Sequence, residues 1–306
     1  MPGAVLKAFP AMGTVFSFRL GGADKELAER LKEKSIELHR AWSVFEPSSE
    51  VSRLNAEAGK GAVGVSFDTF AVLKESKRLA GLTKGAFDIT AGALTSLWRK
   101  AEKAGVPPTE DELNETLRLV GSDLIGIDAD ARTVGLPIPG MSIDLGGIAK
   151  GYAADMLAGI LRENRIGEAV LDLGGTVAVI GNAVIGVQDP FRRTGVPMGS
   201  LELNDEFAVT SGTYERCFCV GGTRYGHIVD PRTGKPCDTE LVSVTLVGKK
   251  ATELEALATA AFVLGTEETL PLLNERGIGA MIVNRRGEVF VTPGLQERFR
   301  LFERSE

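Results

Sequence analysis

The chain has almost no histidine: His39 and His227 are the only two in 306 residues. A metal centre built on a histidine cluster is therefore excluded. Cysteine is nearly as scarce, and Cys217, Cys219 and Cys237 make an odd count of three. So sparse a set in a long chain is no disulfide framework. Cys217 and Cys219 stand two apart on a predicted strand and so share a face, but no second cysteine pair completes a zinc site. All three read as buried or semi-buried thiols. An excess of positive charge is also missing: 35 Lys and Arg face 41 Asp and Glu, for a net charge of −6. With no basic stripe, nucleic acid is not an expected partner, because phosphate-backbone affinity rests on clustered Lys and Arg. The N-terminal segment has no charged stretch followed by an apolar core, so no signal peptide is seen. No apolar run reaches the ~20 residues that cross a bilayer. These absences predict a soluble, cytoplasmic protein without membrane insertion, unless a leader lies outside the sequence.

What is present is ordinary globular material, 43% hydrophobic and 25% charged. It suffices for a substantial core, as a single unit over residues 1–306 in one domain or two closely packed lobes. One stretch organises the rest: Asp144-Leu-Gly-Gly-Ile-Ala-Lys-Gly-Tyr-Ala-Ala-Asp155. Gly146 and Gly147 let backbone approach a ligand. The amphipathic helix predicted after them turns free N–H groups and its positive dipole end to the same place, and Lys150 adds a full charge. The combination suits a phosphate. Read alone, the blander alternative leads: a strand-to-helix turn with a solvated lysine, since short glycine motifs have many false positives.

In chain order, residues 4–20 read as strand broken by a turn at Ala11-Met12-Gly13-Thr14. Asp24 caps a predicted helix whose Leu27, Leu31, Leu38 and Trp42 share a face. His39 lies beside that face as a packing or surface residue. Residues 43–55 read as a serine- and proline-bearing loop, in which the Phe45 ring either covers a planar ligand or anchors the loop. A helix is predicted over residues 66–79, and a capping box at Thr109-Glu-Asp-Glu112 opens another. Residues 125–143 read as strand-rich. From residue 169 short apolar runs, at 170–173, 177–180, 184–187, 201–203 and 207–210, alternate with turn residues, which predicts antiparallel strands. His227 stands beside a turn at Asp230-Pro231, where chemistry is often placed but where a hydrogen-bonded hairpin histidine is as good a reading. Residues 242–247 read as a strand and 252–265 as a helix closed by glycine, with another helix over 267–275. On the first of these helices Glu255 and Thr259 are four apart on one face, oxygen ligands of the kind Mg²⁺ takes. Alternatively Thr252 and Glu255 form a capping box that only serves the helix start.

Seven motifs in order then carry a resemblance: Ala11-Met-Gly-Thr14, the loop from Trp42-Ser43 to Asn55, Gly85-Ala-Phe-Asp88, Asp144-Leu-Gly-Gly-Ile-Ala-Lys-Gly151, Thr210-Ser-Gly-Thr-Tyr-Glu-Arg216, His227-Ile-Val-Asp-Pro-Arg-Thr-Gly234 and Ala256-Leu-Ala-Thr259. Together the set resembles the ApbE family, the magnesium-dependent FAD:protein FMN transferases. The resemblance implies an α+β, T-fold-like architecture of mainly antiparallel sheets packed with helices, with a ligand cleft between lobes. It implies FAD as donor, Mg²⁺, and an acceptor flavoprotein whose Thr or Ser hydroxyl receives FMN while AMP leaves. Under it Met12, Ala41, Trp42, Ser43, Gly85, Ala86, Phe87, Asp144, Lys150 and Ile228 line the FAD site. The Gly147 carbonyl, Glu255 and Thr259 are metal ligands, and His227 is catalytic. The chain departs from the family pattern at Glu255, where Asp is usual, at Gly226, where a second histidine is common, and at Thr176. Two rivals keep the pocket but not the transfer: a non-catalytic FAD carrier, and an FAD pyrophosphatase giving FMN and AMP.

Overall fold

A two-residue turn starts the architecture. Met12 (φ 47°) and Gly13 (φ 76°) both hold left-handed backbone, the geometry that matches the twist of an antiparallel hairpin. They join strands Val5–Ala11 and Thr14–Gly21, with Ala11 opposite Thr14. The computed structural model describes residues 3–213 and 217–302. Tyr214, Glu215 and Arg216, the end of the fifth motif, lie outside the described residues.

The hairpin forms one edge of an eight-stranded sheet. It continues through Glu168–Asp172, Thr176–Ile180, Phe207–Gly212, Leu241–Gly248, Gly279–Asn284 and Val289–Val291, every neighbouring pair antiparallel. Side-chain alternation builds two layers from it. Phe207, Val209, Val244 and Leu246 enter a large core under the helices, whereas Ala208 and Val247 enter a smaller one. The smaller core lies against a second antiparallel sheet of Asn182–Gln188, Pro197–Asn204 and Phe299–Leu301.

The helical layer includes Lys25–Trp42, capped where Asp24 Oδ1 accepts from Leu27 N–H at 2.7 Å. It also includes Phe67–Leu82, Ala149–Glu163 and Ala251–Glu275. The capping box at Thr109 and Glu112 is formed in full. The α+β expectation thus holds, and several local expectations do not. The segment over residues 43–55 runs into the helix Glu50–Ala56, started by the Ser49 hydroxyl accepting from Ser52 N–H at 2.9 Å. Residues 125–143 carry only the short strands Gly126–Asp128 and Thr133–Gly135, paired with Ala62–Gly64 in a small sheet. Helix Gly92–Ala104 was not foreseen. The two helices expected over 252–275 are present within Ala251–Glu275, and they part, as expected, at the non-helical backbone of Gly265 (φ 73°, ψ 177°).

By length and composition alone Ala251–Glu275 would pass for a membrane span, with an 18-residue window of mean hydropathy 1.2, although Glu residues and the break at Gly265 interrupt it. Here its apolarity is spent in the core. Leu254, Ala256, Leu257, Ala258, Ala260, Ala261 and Phe262 are all buried, and the helix also buries Glu253 and Glu255.

Candidate active site

The backbone entering Asp144 is clamped from two sides. Asn55 accepts from the Ile143 N–H at 2.8 Å and donates its amide to the Ile143 carbonyl at 3.0 Å. On the other side the Gly92–Ala104 helix begins so close that a Cβ on Gly92 would lie 2.7 Å from the Ser142 carbonyl oxygen. Only glycine fits there. Asp144 N–H then donates to the Ile89 carbonyl at 2.9 Å. The Asp144 carboxylate folds back to accept from Gly146 N–H at 2.8 Å, which shapes the turn, and its other oxygen lies 3.6 Å from the Arg99 guanidinium. Arg99 in turn sits 5.1 Å above the Phe45 ring, and that ring is 78% exposed. Phe45 is therefore held by a cation over its face rather than anchored in the core.

Past the turn, a Cβ on Gly147 would stand 3.3 Å from the Phe87 ring and 3.3 Å from Thr259 Oγ1. Three sequence-predicted residues from distant parts of the chain are thereby brought together. Helices Ala149–Glu163 and Ala251–Glu275 touch at their first turns, because Gly151 has no side chain: a Cβ there would be 2.4 Å from the Ala251 carbonyl oxygen. Neither helix caps its own start with a side chain. Each is capped by the other. Asp155 accepts from the Ala251 and Thr252 N–H groups, both at 2.9 Å, and from the Thr252 hydroxyl at 2.5 Å. Glu255, 2% exposed, accepts from the Gly151 N–H and from the Lys150 ammonium. The capping-box reading of Thr252 and Glu255 is thus incorrect: the helix begins at Ala251, before Thr252, Asp155 takes the Thr252 N–H that Glu255 would have accepted from, and the Glu255 carboxylate is turned to Gly151 and Lys150. Burial raises the Asp155 carboxyl above its ordinary range, and the hydrogen bonds from Thr252 and Ala251 oppose that shift.

Other predicted residues sit around this crossing. Met12 N–H donates to His39 Nδ1 at 3.2 Å, so His39 steadies the hairpin tip. Trp42 packs edge-on to Tyr152 at 5.4 Å between ring centroids and donates Nε1–H to Thr69 at 2.9 Å. Burial, then the Asp68 carboxylate, pushes the Tyr152 hydroxyl well above its usual range. Trp42, Ala86, Phe87 and Ile228 are buried, and therefore offer a ligand shape and backbone more than open side-chain surface. Ala41, Ser43 and Gly85 are half-buried, and the Ser43 carbonyl accepts from the Ser49 and Ser52 hydroxyls at 2.6 and 3.2 Å.

Half-buried His227 follows the strand Thr223–Gly226. Its loop is strung between two helices already at the site. Trp98, one residue before Arg99, donates Nε1–H to the Gly234 carbonyl at 2.9 Å. Arg232 pairs with Asp230 at 3.0 Å and reaches the Val263 carbonyl, on the helix bearing Thr259, at 3.4 Å.

For a hard cation the local donors are the Gly147 carbonyl, the Thr259 hydroxyl and the Glu255 carboxylate. Thr259 Oγ1 donates to the Glu255 carbonyl at 3.1 Å and keeps lone pairs to offer. Glu255 has one partner on each oxygen and retains acceptor capacity. No cluster of three or more His, Cys, Asp and Glu arranged for a metal occurs among the described residues. The set is too small for an all-protein cation cage, so a cation held here would need further oxygens from a bound substrate.

Sequence reasoning missed Arg99, Asn55 and Asp155. Only Asp155 left a signal, four residues after Gly151 and so on the same helix face.

The ApbE family model matches residues 12–282. The chain is 33% identical to a FAD:protein FMN transferase of Klebsiella pneumoniae, covering 94% of this chain and 92% of that one. It is 34% identical to a protein of the same description from Treponema pallidum, over 83% and 76% of the two chains. Among solved structures it resembles the ApbE protein of Thermotoga maritima, with a TM-score of 0.84 at 30% identity over 95% of this chain and 97% of that one. It also resembles the flavin transferase ApbE of Vibrio cholerae, with a TM-score of 0.82 at 29% identity over 96% and 99%. The chain belongs to the ApbE family, a family of transferases.

Proposed function

We propose that this enzyme transfers FMN from FAD to a Thr or Ser hydroxyl of an acceptor protein, with Mg²⁺, and releases AMP. The observation that carries the reading is the crossing at Gly151, which holds Lys150, at one helix start, on Glu255 of the other helix, one turn along from Thr259, where Thr259 closes on Gly147 and Phe87. A lysine on a helix N-terminus suits a pyrophosphate. In this reading Met12, Ala41, Trp42, Ser43, Gly85, Ala86, Phe87, Asp144 and Ile228 shape the FAD site, and Lys150 faces the phosphates. Gly147, Glu255 and Thr259 would hold Mg²⁺, which would neutralise charge developing on the phosphates. His227 takes the proton from the acceptor hydroxyl. The hydroxyl oxygen bonds to the FMN phosphorus, the bridging P–O bond breaks, and AMP leaves.

Incubation with FAD, Mg²⁺ and a Thr-bearing acceptor protein of a relative tests this by mass spectrometry. The expected result is a covalent FMN adduct, lost in His227→Ala while FAD still binds. Free FMN and AMP without adduct would assign a hydrolase instead. Bound FAD without turnover would assign a carrier.

A further inference from the structure

Of the two paired thiols, read from the sequence as buried or semi-buried, Cys217 is half-buried and Cys219 is exposed. On strand Cys217–Val220 the inward residues are Phe218 and Val220, 6% and 1% exposed. Phe218 stacks on Trp98 at 6.2 Å, and Tyr225, directly opposite it on the paired strand, lies 5.1 Å from the same ring. This anchor fixes which face of the hairpin points in. Strand alternation then places Cys217 and Cys219 together on the outer face, half-buried and exposed respectively, with their sulfurs 3.8 Å apart. The backbone between them is held as well, since Cys219 N–H donates to Glu102 Oε1 at 2.8 Å. Nothing in the flavin reading uses this pair.

We propose that Cys217 and Cys219 form a preorganised two-thiol site for a soft, thiophilic centre of the trivalent arsenical class. Both sulfurs are already within chelating range, so closing the ring asks little further ordering of the strand. A metal ion fits less well. Zinc takes about four ligands, and no cluster of three or more ligating side chains occurs among the described residues. Metals also bind thiolates, whereas hydrogen bonding to Cys217 keeps the Cys219 thiol protonated above its ordinary range. Trivalent arsenic carries its own third substituent and reacts with thiols. With the hydrated dihydroxyarsine form, two As–OH bonds break, two As–S bonds form, and each thiol proton leaves with a hydroxide as water; counted from the anhydrous oxide, one water is released in all. Arsenic stays trivalent, so no oxidant or reductant is needed.

The third cysteine supplies the control. Burial pushes the Cys237 thiol up to about 12, which leaves it a poor nucleophile. Phenylarsine oxide is the probe, and intact-protein mass spectrometry reads the adduct. The wild-type chain should take one phenylarsenic group, keep it in excess monothiol and release it to a dithiol. Cys237→Ser should behave as wild type. Cys217→Ser and Cys219→Ser should each lose the adduct in monothiol while melting at the wild-type temperature. Loss of the wild-type adduct in monothiol would overturn the proposal. So would its retention in either single variant at positions 217 and 219.

Discussion

Glu255→Gln isolates what the Glu255 carboxylate does for the fold. The side chain is 3% exposed and its partner Lys150 is 23% exposed, so the two halves of the interaction respond differently. Lys150 can turn into water when its partner is neutralised, which limits the ion-pair loss to about 1 kcal/mol. The Gly151 N–H is enclosed by the helix crossing and has no such escape. Glutamine has one acceptor oxygen where glutamate has two, and its amide nitrogen must face one of the two donors. One charge-assisted hydrogen bond becomes neutral and the other becomes a donor–donor contact, for a total loss of about 2 kcal/mol. In a chain of this size that lowers the melting temperature by about 4 °C. Lys150→Met keeps the Gly151 bond but leaves the Glu255 charge buried without its cation, and should cost more, about 3 kcal/mol. Scanning calorimetry on the two single variants and the double variant gives the coupling between them. A Glu255→Gln variant that melts with the wild type would refute the buried cap, and a Lys150→Met loss smaller than that of Glu255→Gln would refute the dependence of the buried carboxylate on its cation.

Gly151→Ala places a Cβ 2.4 Å from the Ala251 carbonyl oxygen, and neither backbone can yield without parting the helices. A loss of about 3 kcal/mol is expected, read by urea unfolding, whereas a change below about 1 kcal/mol would show that the helices do not meet there. Asp155 predicts a pH dependence. Its folded value is raised from the ordinary 3.8, so the folded state binds the proton more tightly than the unfolded chain. Its contribution to stability is therefore greatest below 3.8, falls as pH rises through the window up to the raised folded value, and is flat above that. Asp155→Asn removes the group, so the difference between wild-type and variant unfolding curves should show this slope. Parallel curves across the window would remove Asp155 from the argument.

How much of this was legible follows from whether a feature is local. The hairpin at Met12-Gly13, the Asp24 cap and the Thr109 box each lie within four residues, and the sequence shows them. The strands after residue 168 announce themselves by apolar runs between turn residues. Helix Glu50–Ala56 has only Val51 and Leu54 buried, too few to show a period in a serine-rich stretch. Helix Gly92–Ala104 opens on a glycine that looks like a loop residue. That glycine is there because the backbone of residues 142–144 passes within contact distance, and no local pattern reports such a neighbour. Arg99 is equally silent, because its meaning comes from Asp144 and from a ring more than fifty residues away.

The Thr252 and Glu255 spacing is the instructive failure, because the capping box it spells is sound local physics. The box would hold Glu255 at the start of its own helix. Asp155 takes the Thr252 N–H that Glu255 would have accepted from, and Glu255 is released toward the other helix. Two helix starts in contact bring two positive dipole ends together, each equivalent to about half a charge, with Lys150 adding a full one. Asp155 and Glu255 are the carboxylates that answer them, each from the opposite helix. The exchange requires the close approach that Gly151 permits. Shortening Glu255 to Asp would draw the carboxylate one methylene back toward its own helix and weaken its hold on Gly151 and Lys150. The extra methylene at residue 255 therefore has a structural purpose in this chain: it lets one side chain cap a neighbouring helix and hold the lysine beside it.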